Sequence, residues 1–221
     1  MKLQSNNIWF TSDTHYSHSN LVRGVTNWRN VDGEVPVEQV RNFDTVEQMN
    51  DLMVDNINKH VQAKDWLIHL GDWSFGGYDR VKEFRDKINC QNIVLILGNH
   101  DHHIQRDKAN GPLRKLFTHI AHYEELAISR GSDQDKNKMI LCHYPIISWN
   151  NMHHGSYMLH GHQHLKGDKR FGSGRRMDVG LCGTEEFGFR PYHLEEILDT
   201  LKNRTLILPE HDHHITNNGI Q

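Results

Sequence analysis

Along this chain, short apolar runs alternate with longer stretches in which apolar positions recur every three or four residues. The first run, IWFT at residues 8–11, predicts a strand that ends in SDTH. Residues 45–61 (TVEQMNDLMVDNINKHV) place Val46, Met49, Leu52, Met53, Ile57 and Val61 at helical spacing. A second strand is predicted at 66–70 (WLIHL), ending in GD, and a helix follows at about 78–88 with Val81, Phe84 and Ile88 on one face. A third strand at 93–97 (IVLIL) ends in GNHD. This β-α-β-α-β rhythm predicts a largely parallel sheet covered by helices. The second half reads as richer in strands. Residues 123–129 and 139–142 are expected to pair antiparallel across the charged turn GSDQDKNK, followed by strands at 157–160 and 176–181. A short helix at 194–201 and a last strand at 205–208 complete the pattern. After Pro209 the periodicity ends, and EHDHHITNNGIQ is expected to be a disordered tail, although its three histidines could also hold metal loosely. Residues 1–208 are therefore expected to form one domain, without repeats or linkers, and 209–221 a tail.

Composition narrows the function classes. The 25 Lys and Arg are matched by 28 Asp and Glu, giving a formal charge of −3, which weighs against an extensive nucleic-acid track. MKLQSNNIWF lacks the apolar segment of a signal peptide, and no run approaches the length of a membrane span. Cys90, Cys142 and Cys182 are distant from one another and odd in number, so a disulfide framework is not expected. A cytoplasmic protein without a membrane partner fits these features. The 19 histidines allow two explanations, a polar surface with a histidine-bearing tail or a metal site, and their positions decide between them.

Five predicted strands deliver ligand-type residues at their ends: Asp13-x-His15, Gly71-Asp72, Gly98-Asn99-His100-Asp101, His143, and Gly161-His162-x-His164. Taken singly, each has a plain reading: a helix cap for the first, a turn for the second, two imidazoles on one strand face for the last. Taken together they are hard to obtain by chance. Ligand sites of α/β sheets form beyond the carboxyl ends of the strands, where distant segments converge.

The series DxH, GD, GNHD, H and GHxH resembles the calcineurin-like metallophosphoesterase superfamily from about residue 8 to residue 197, and HGSYMLHGHQH with MDVG is similar to a small bacterial and bacteriophage branch of predicted phosphoesterases. The resemblance implies an α/β fold: a two-sheet mixed sandwich flanked by helices, with a dinuclear metal site at the strand ends. It implies that Asp13, His15 and His164 hold one metal, that Asn99, His143 and His162 hold another, and that Asp72 bridges them. It places His100 against the substrate, as phosphate contact or general acid, with Asp101 orienting it. Asn99 would also lie within reach of substrate. Two metals roughly 3.5–4 Å apart can clamp the oxygens of an in-line displacement and lower the pKa of a water toward roughly 7, so no protein nucleophile is required. A mixed O/N donor set suits two divalent transition metals, Mn²⁺ first, with Fe, Zn²⁺ or Ni²⁺ as alternatives.

Around the rim, Arg23 and His154 are candidate phosphate contacts. The stretch 16–43 also carries His18, Asn20, Trp28 and Arg29, types suited to phosphate and base contacts; a surface loop around a packed tryptophan is the alternative. Asp178 could orient a metal-binding imidazole or be an ordinary strand-end aspartate, and Cys142 reads as a small core residue. The favoured activity is hydrolysis of small phosphate esters, diester or nucleotide-type. A nuclease or nucleic-acid end-processing phosphatase and a non-catalytic metal-binding scaffold remain the alternatives.

Overall fold

Strands Ile8–Thr11 (β2), Trp66–His69 (β3) and Asn92–Ile96 (β4) are apolar on both faces, as parallel strands buried between two layers must be. The computed structural model describes residues 1–130 and 136–207. In it, Leu67, Ile93 and Leu95 face one core and Ile68, Val94 and Ile96 face another, following the two-residue period of a strand. The first core is closed by Val46–His60 (α1) and Tyr78–Lys87 (α2), through Met49, Met53, Ile57, Val81 and Phe84. The second lies between two five-stranded sheets and includes Leu126, Ile128, Met139, Leu141 and Leu159 from the opposite sheet. Burying each such aliphatic side chain contributes roughly 1.5–3 kcal/mol.

One sheet has the order Tyr192–His193 (β10), β2, β3, β4, His119–Ala121 (β5), with β2 to β5 parallel and β10 antiparallel at the edge. The other runs Lys2–Gln4 (β1), Tyr123–Ser129 (β6), Lys136–Cys142 (β7), Tyr157–His160 (β8), Arg176–Asp178 (β9). Here β6 and β7 are antiparallel, and β7, β8 and β9 parallel. The short helix His102–Arg106 (α3) follows GNHD, and Leu194–Leu201 (α4) closes the inter-sheet core with Leu194, Ile197, Leu198 and Leu201. Thr45 starts α1 with a reciprocal capping box to Gln48.

The α/β sandwich with flanking helices is thus as expected, and the departures are local. Leu52 is half-exposed and Val54 takes its expected place in the core. Strands β1, β5 and β10 span only two or three residues, too few to show a period. The strand expected at 176–181 ends at Asp178, because the chain leaves the sheet there and enters a 3-10 segment, Leu181–Phe187. Residues 205–207 form no strand; Ile207 packs its side chain towards Gly174 instead. Of the expected turn at 131–138, residues 136–138 belong instead to β7, which starts earlier than the expected 139; residues 131–135, the tail and position 208 lie outside the described residues.

Candidate metal centre

Each of the five ligand segments begins where a strand ends: after β2, β3, β4, β7 and β8. Backbone hydrogen bonds lace the turns together. The Asp13 N–H donates to the Gly71 carbonyl at 2.9 Å, His15 N–H to Asp72 at 3.0 Å, and Gly161 N–H to His143 at 2.9 Å. The two sheets meet through the His162 N–H, which donates to the Asp13 carboxylate at 3.0 Å. A Cβ on Gly98 would lie 2.3 Å from Asp72 Oδ1, and one on Gly161 would lie 2.3 Å from Asp13 Oδ2. At these two ligand segments the glycine therefore allows a close approach that any side chain would block.

Side chains from both sheets converge. His15 Nε2 and His164 Nε2 lie 3.0 Å apart, with Asp13 Oδ1 at 3.4 Å from His164 Nε2. Asn99 Oδ1 lies 3.0 Å from His143 Nε2 and 3.0 Å from His162 Nδ1. Between these groups, Asp72 Oδ2 is 3.5 Å from His15 Nε2 and 3.5 Å from His143 Nε2. The ligand atoms of Asp13, His15 and His164 lie within 4.8 Å of one another, and so do those of Asp13, Asp72 and His143. The chemistry of this donor set fits a pair of divalent cations. His143 Nδ1 lies 2.8 Å from the Leu70 carbonyl, to which it donates, leaving the Nε2 lone pair aimed at the cluster.

Five of these residues hold positive φ: Asp13 (55°), His15 (48°), Asp72 (58°), His162 (72°) and His164 (52°). Non-glycine residues in this region cost about 1–3 kcal/mol each and persist where the surroundings over-determine them. This corrects the expectation that His162 and His164 share one face of a strand. They lie in the turn beyond β8, and their imidazoles go to different groups.

Electrostatics follow from burial. Burial opposes charge on Asp13, but hydrogen bonding and attraction to His164 outweigh it and hold the carboxyl well below its usual range. Burial likewise opposes a charged His164, yet Asp13 and Cys182 push that imidazole up to about 10. Burial, with the Asp13 charge, raises Asp72 to about 6. His162 is lowered, first by burial and then by His143.

His100 is half-buried, with its ring 5.2 Å from that of His15 and its N–H donating to Asp72 Oδ1 at 2.8 Å. Asp101 does not meet the expectation of an orienting partner for that ring. Its buried carboxylate accepts the N–H groups of Gly98, Asp72 and Trp73 at 2.8–2.9 Å, and no hydrogen bond to the His100 imidazole occurs among the described contacts. It braces two ligand turns against each other. Asp178 does the same elsewhere, accepting from Gly180 at 2.7 Å and Leu165 at 3.4 Å rather than from an imidazole. Arg23 and His154 are exposed, and among the described contacts neither side chain touches the cluster. Cys142 is partly buried against the small cluster of Ile140, Trp149 and Met158.

The structure adds three groups that sequence reasoning missed. Arg41, 1% exposed, donates to the carbonyls of Asp13 and Thr14, pinning the first ligand turn. Buried His69 accepts from Gly71 N–H through Nδ1, so its Nε2 donates to Thr14 Oγ1 at 2.8 Å. Cys182 is hydrogen-bonded with His164, and its thiol is lowered to about 7, because Arg41 and His164 together outweigh burial. An arginine in a polar loop and a histidine inside a strand carry no local signal of such roles.

Comparison with known proteins gives a consistent result. A model of the calcineurin-like phosphoesterase family matches residues 7–175. Uncharacterized protein MJ1445 of Methanocaldococcus jannaschii is 24% identical over 204 residues, covering 90% of this chain and 94% of its own. Gene 66 protein of Mycobacterium phage D29 is 26% identical over 180 residues, covering 72% of this chain and 79% of its own. The crystal structure of the protein of unknown function AQ665 from Aquifex aeolicus superposes with a TM-score of 0.57 at 20% identity, over 87% of this chain and 98% of that one, a likeness of fold. No helix among the described residues is long and apolar enough to cross a membrane.

Proposed function

The chain belongs to the calcineurin-like phosphoesterase family, whose members are metal-dependent phosphoesterases, and from that premise we propose that it hydrolyses small phosphate esters, of diester or nucleotide type, at a dinuclear centre. The observation that carries this reading is the position of Asp72, its Oδ2 equidistant at 3.5 Å from an imidazole nitrogen of each half of the cluster. Asp13, His15 and His164 would hold one cation and Asn99, His143 and His162 the other, with Asp72 between the two groups. The O/N donors favour Mn²⁺, with Fe, Zn²⁺ or Ni²⁺ as alternatives. When bound, the cations polarise phosphoryl oxygens and lower the pKa of a water toward roughly 7.

The protein's own groups do the rest. Asp72 Oδ1 accepts the His100 N–H, which ties the turn carrying His100 to the bridging carboxylate. His100, half-open to solvent beside His15, is placed to donate a proton to the departing alkoxide. Asn99 stands exposed next to it, within reach of a phosphoryl oxygen. Three free cysteines suit work in a reducing cytoplasm.

The test is hydrolysis of bis-p-nitrophenyl phosphate and p-nitrophenyl phosphate by metal-stripped protein resupplied with Mn²⁺, Ni²⁺, Zn²⁺ or Mg²⁺. Turnover should require metal. Asp72→Ala should lower kcat/KM by more than about 100-fold, roughly 3 kcal/mol, while His100→Ala should lower kcat at unchanged metal content. Turnover indifferent to both substitutions would refute the proposal.

A further inference from the structure

Beside His100 stands a ring that neither the core nor the ligand set uses. Phe75 is 41% exposed, although it follows the buried Trp73 and Ser74 directly in sequence. Its ring centroid lies 4.0 Å from that of His18 and 5.5 Å from that of His100, and His18 lies 5.9 Å from Trp28. The ring is held firmly. Tyr16 and Ser74 pair as an isolated parallel bridge, and the Phe75 N–H donates to the Tyr16 carbonyl at 2.8 Å. The two segments joined in this way are those that carry Asp13 and His15 on one side and Asp72 on the other. Gly76 and Gly77 follow with φ of +109° and +90°, turning the chain into α2. Phe75 also borders a cavity of about 340 Å³, lined by Tyr16, Asn50, Arg80 and Lys87 among others. An aromatic side chain fixed to the ligand turns, next to the proposed proton donor and open to a cavity, is preorganised to stack a flat ring.

Resting on the phosphoesterase reading above, we propose that Phe75, seated on His18, is the platform for a planar aromatic ring of the substrate. The chain then prefers phosphate esters bearing a nucleobase-like ring over aliphatic ones. A ring stacked on an aromatic side chain changes affinity roughly 5- to 150-fold, and it does so for any base, because each has a π face.

The experiment is calorimetric titration of Mn²⁺-loaded wild type, Phe75→Leu and Phe75→Tyr with thymidine 5′-monophosphate, phenyl phosphate and methyl phosphate. Wild type should bind at least one ring-bearing ligand more than fivefold tighter than methyl phosphate. That advantage should fall below twofold in Phe75→Leu and survive in Phe75→Tyr, with methyl phosphate affinity the same in all three. Gain by both ring ligands identifies any flat ring; gain by the thymidine ester alone identifies a nucleobase. No ring advantage in wild type, or one that persists in Phe75→Leu, overturns the platform. Hydrolysis of bis-p-nitrophenyl phosphate by wild type, measured separately, reports on the esterase reading. A ring preference without turnover would sink that reading alone, and turnover without a ring preference would sink the platform alone.

Discussion

Asp13 and His15 sit at the floor of the site, 0% and 3% exposed, whereas Asn99 and His162 stand exposed across from them, with only His143 fully buried beneath. The first group is enclosed from three directions. Arg41 grips its backbone, Gly161 presses against its carboxylate, and Cys182 meets His164. The second group is bordered by solvent and by the half-exposed ring of Tyr144, 4.8 Å from His162. One half is therefore the more enclosed, with only His164 partly exposed, and the other is open to solvent. The difference predicts a division of labour: a cation in the closed half would be retained, and one in the open half would share its ligand sphere with substrate.

The sharpest way to break this comparison is a pair of substitutions. His164→Ala should cost far more metal than His162→Ala. After dialysis, elemental analysis should find the His162 variant near one ion per chain and the His164 variant well below that, with metal affinity lowered at least about 100-fold in the latter, roughly 3 kcal/mol. Equal losses would mean that the halves do not differ in retention.

A second difference concerns protons. Held at about 10 by Asp13 and Cys182 against its burial, His164 is charged at neutral pH in the metal-free chain, while His162, lowered by burial, is neutral. An imidazole must lose its proton to bind a cation. Filling the closed half should therefore release about one proton, and its affinity should rise about tenfold per pH unit up to about 10. Filling the open half should release fewer, because His162 is held neutral by burial. Calorimetry in two buffers of different ionisation enthalpy separates the two events, and proton release of the same size from both would contradict the assignment.

The smallest effect expected is on stability, through Asp178 behind the closed half. Burial, with the charge of Asp13, raises its carboxyl from 3.8 to about 7. Between those values the folded chain keeps a proton that the unfolded chain has lost, so stability falls as pH rises from about 4 to about 7. In metal-free protein, Asp178→Asn should flatten the fall in Tm across that window. A slope identical to wild type would mean that the carboxyl is already ionised.

Much of this arrangement was legible in residue order. Asp13-x-His15, Gly71-Asp72, Asn99-His100, His143 and His162-x-His164 could be placed at strand ends because an apolar run that stops, at glycine in three of the five, is a local signal. The roles of Asp101 and Asp178 were not legible, since a buried carboxylate that collects backbone N–H groups looks in sequence like any aspartate beside a ligand. Leu52 was misassigned for a related reason: helical spacing gives a face, but the neighbouring layer decides how wide that face is.

By itself, then, the sequence determined which residue types arrive at the strand ends and in what order, because side-chain period, turn residues and caps act over a few positions. Only the tertiary structure decided that residue 13 meets residue 164 across two stacked sheets, that five ligands hold left-handed backbones, that Arg41 is spent on carbonyls, and that Phe75 stays uncovered. Those outcomes depend on close packing between segments distant along the chain, whose geometry is fixed once the two sheets and their helices have come together.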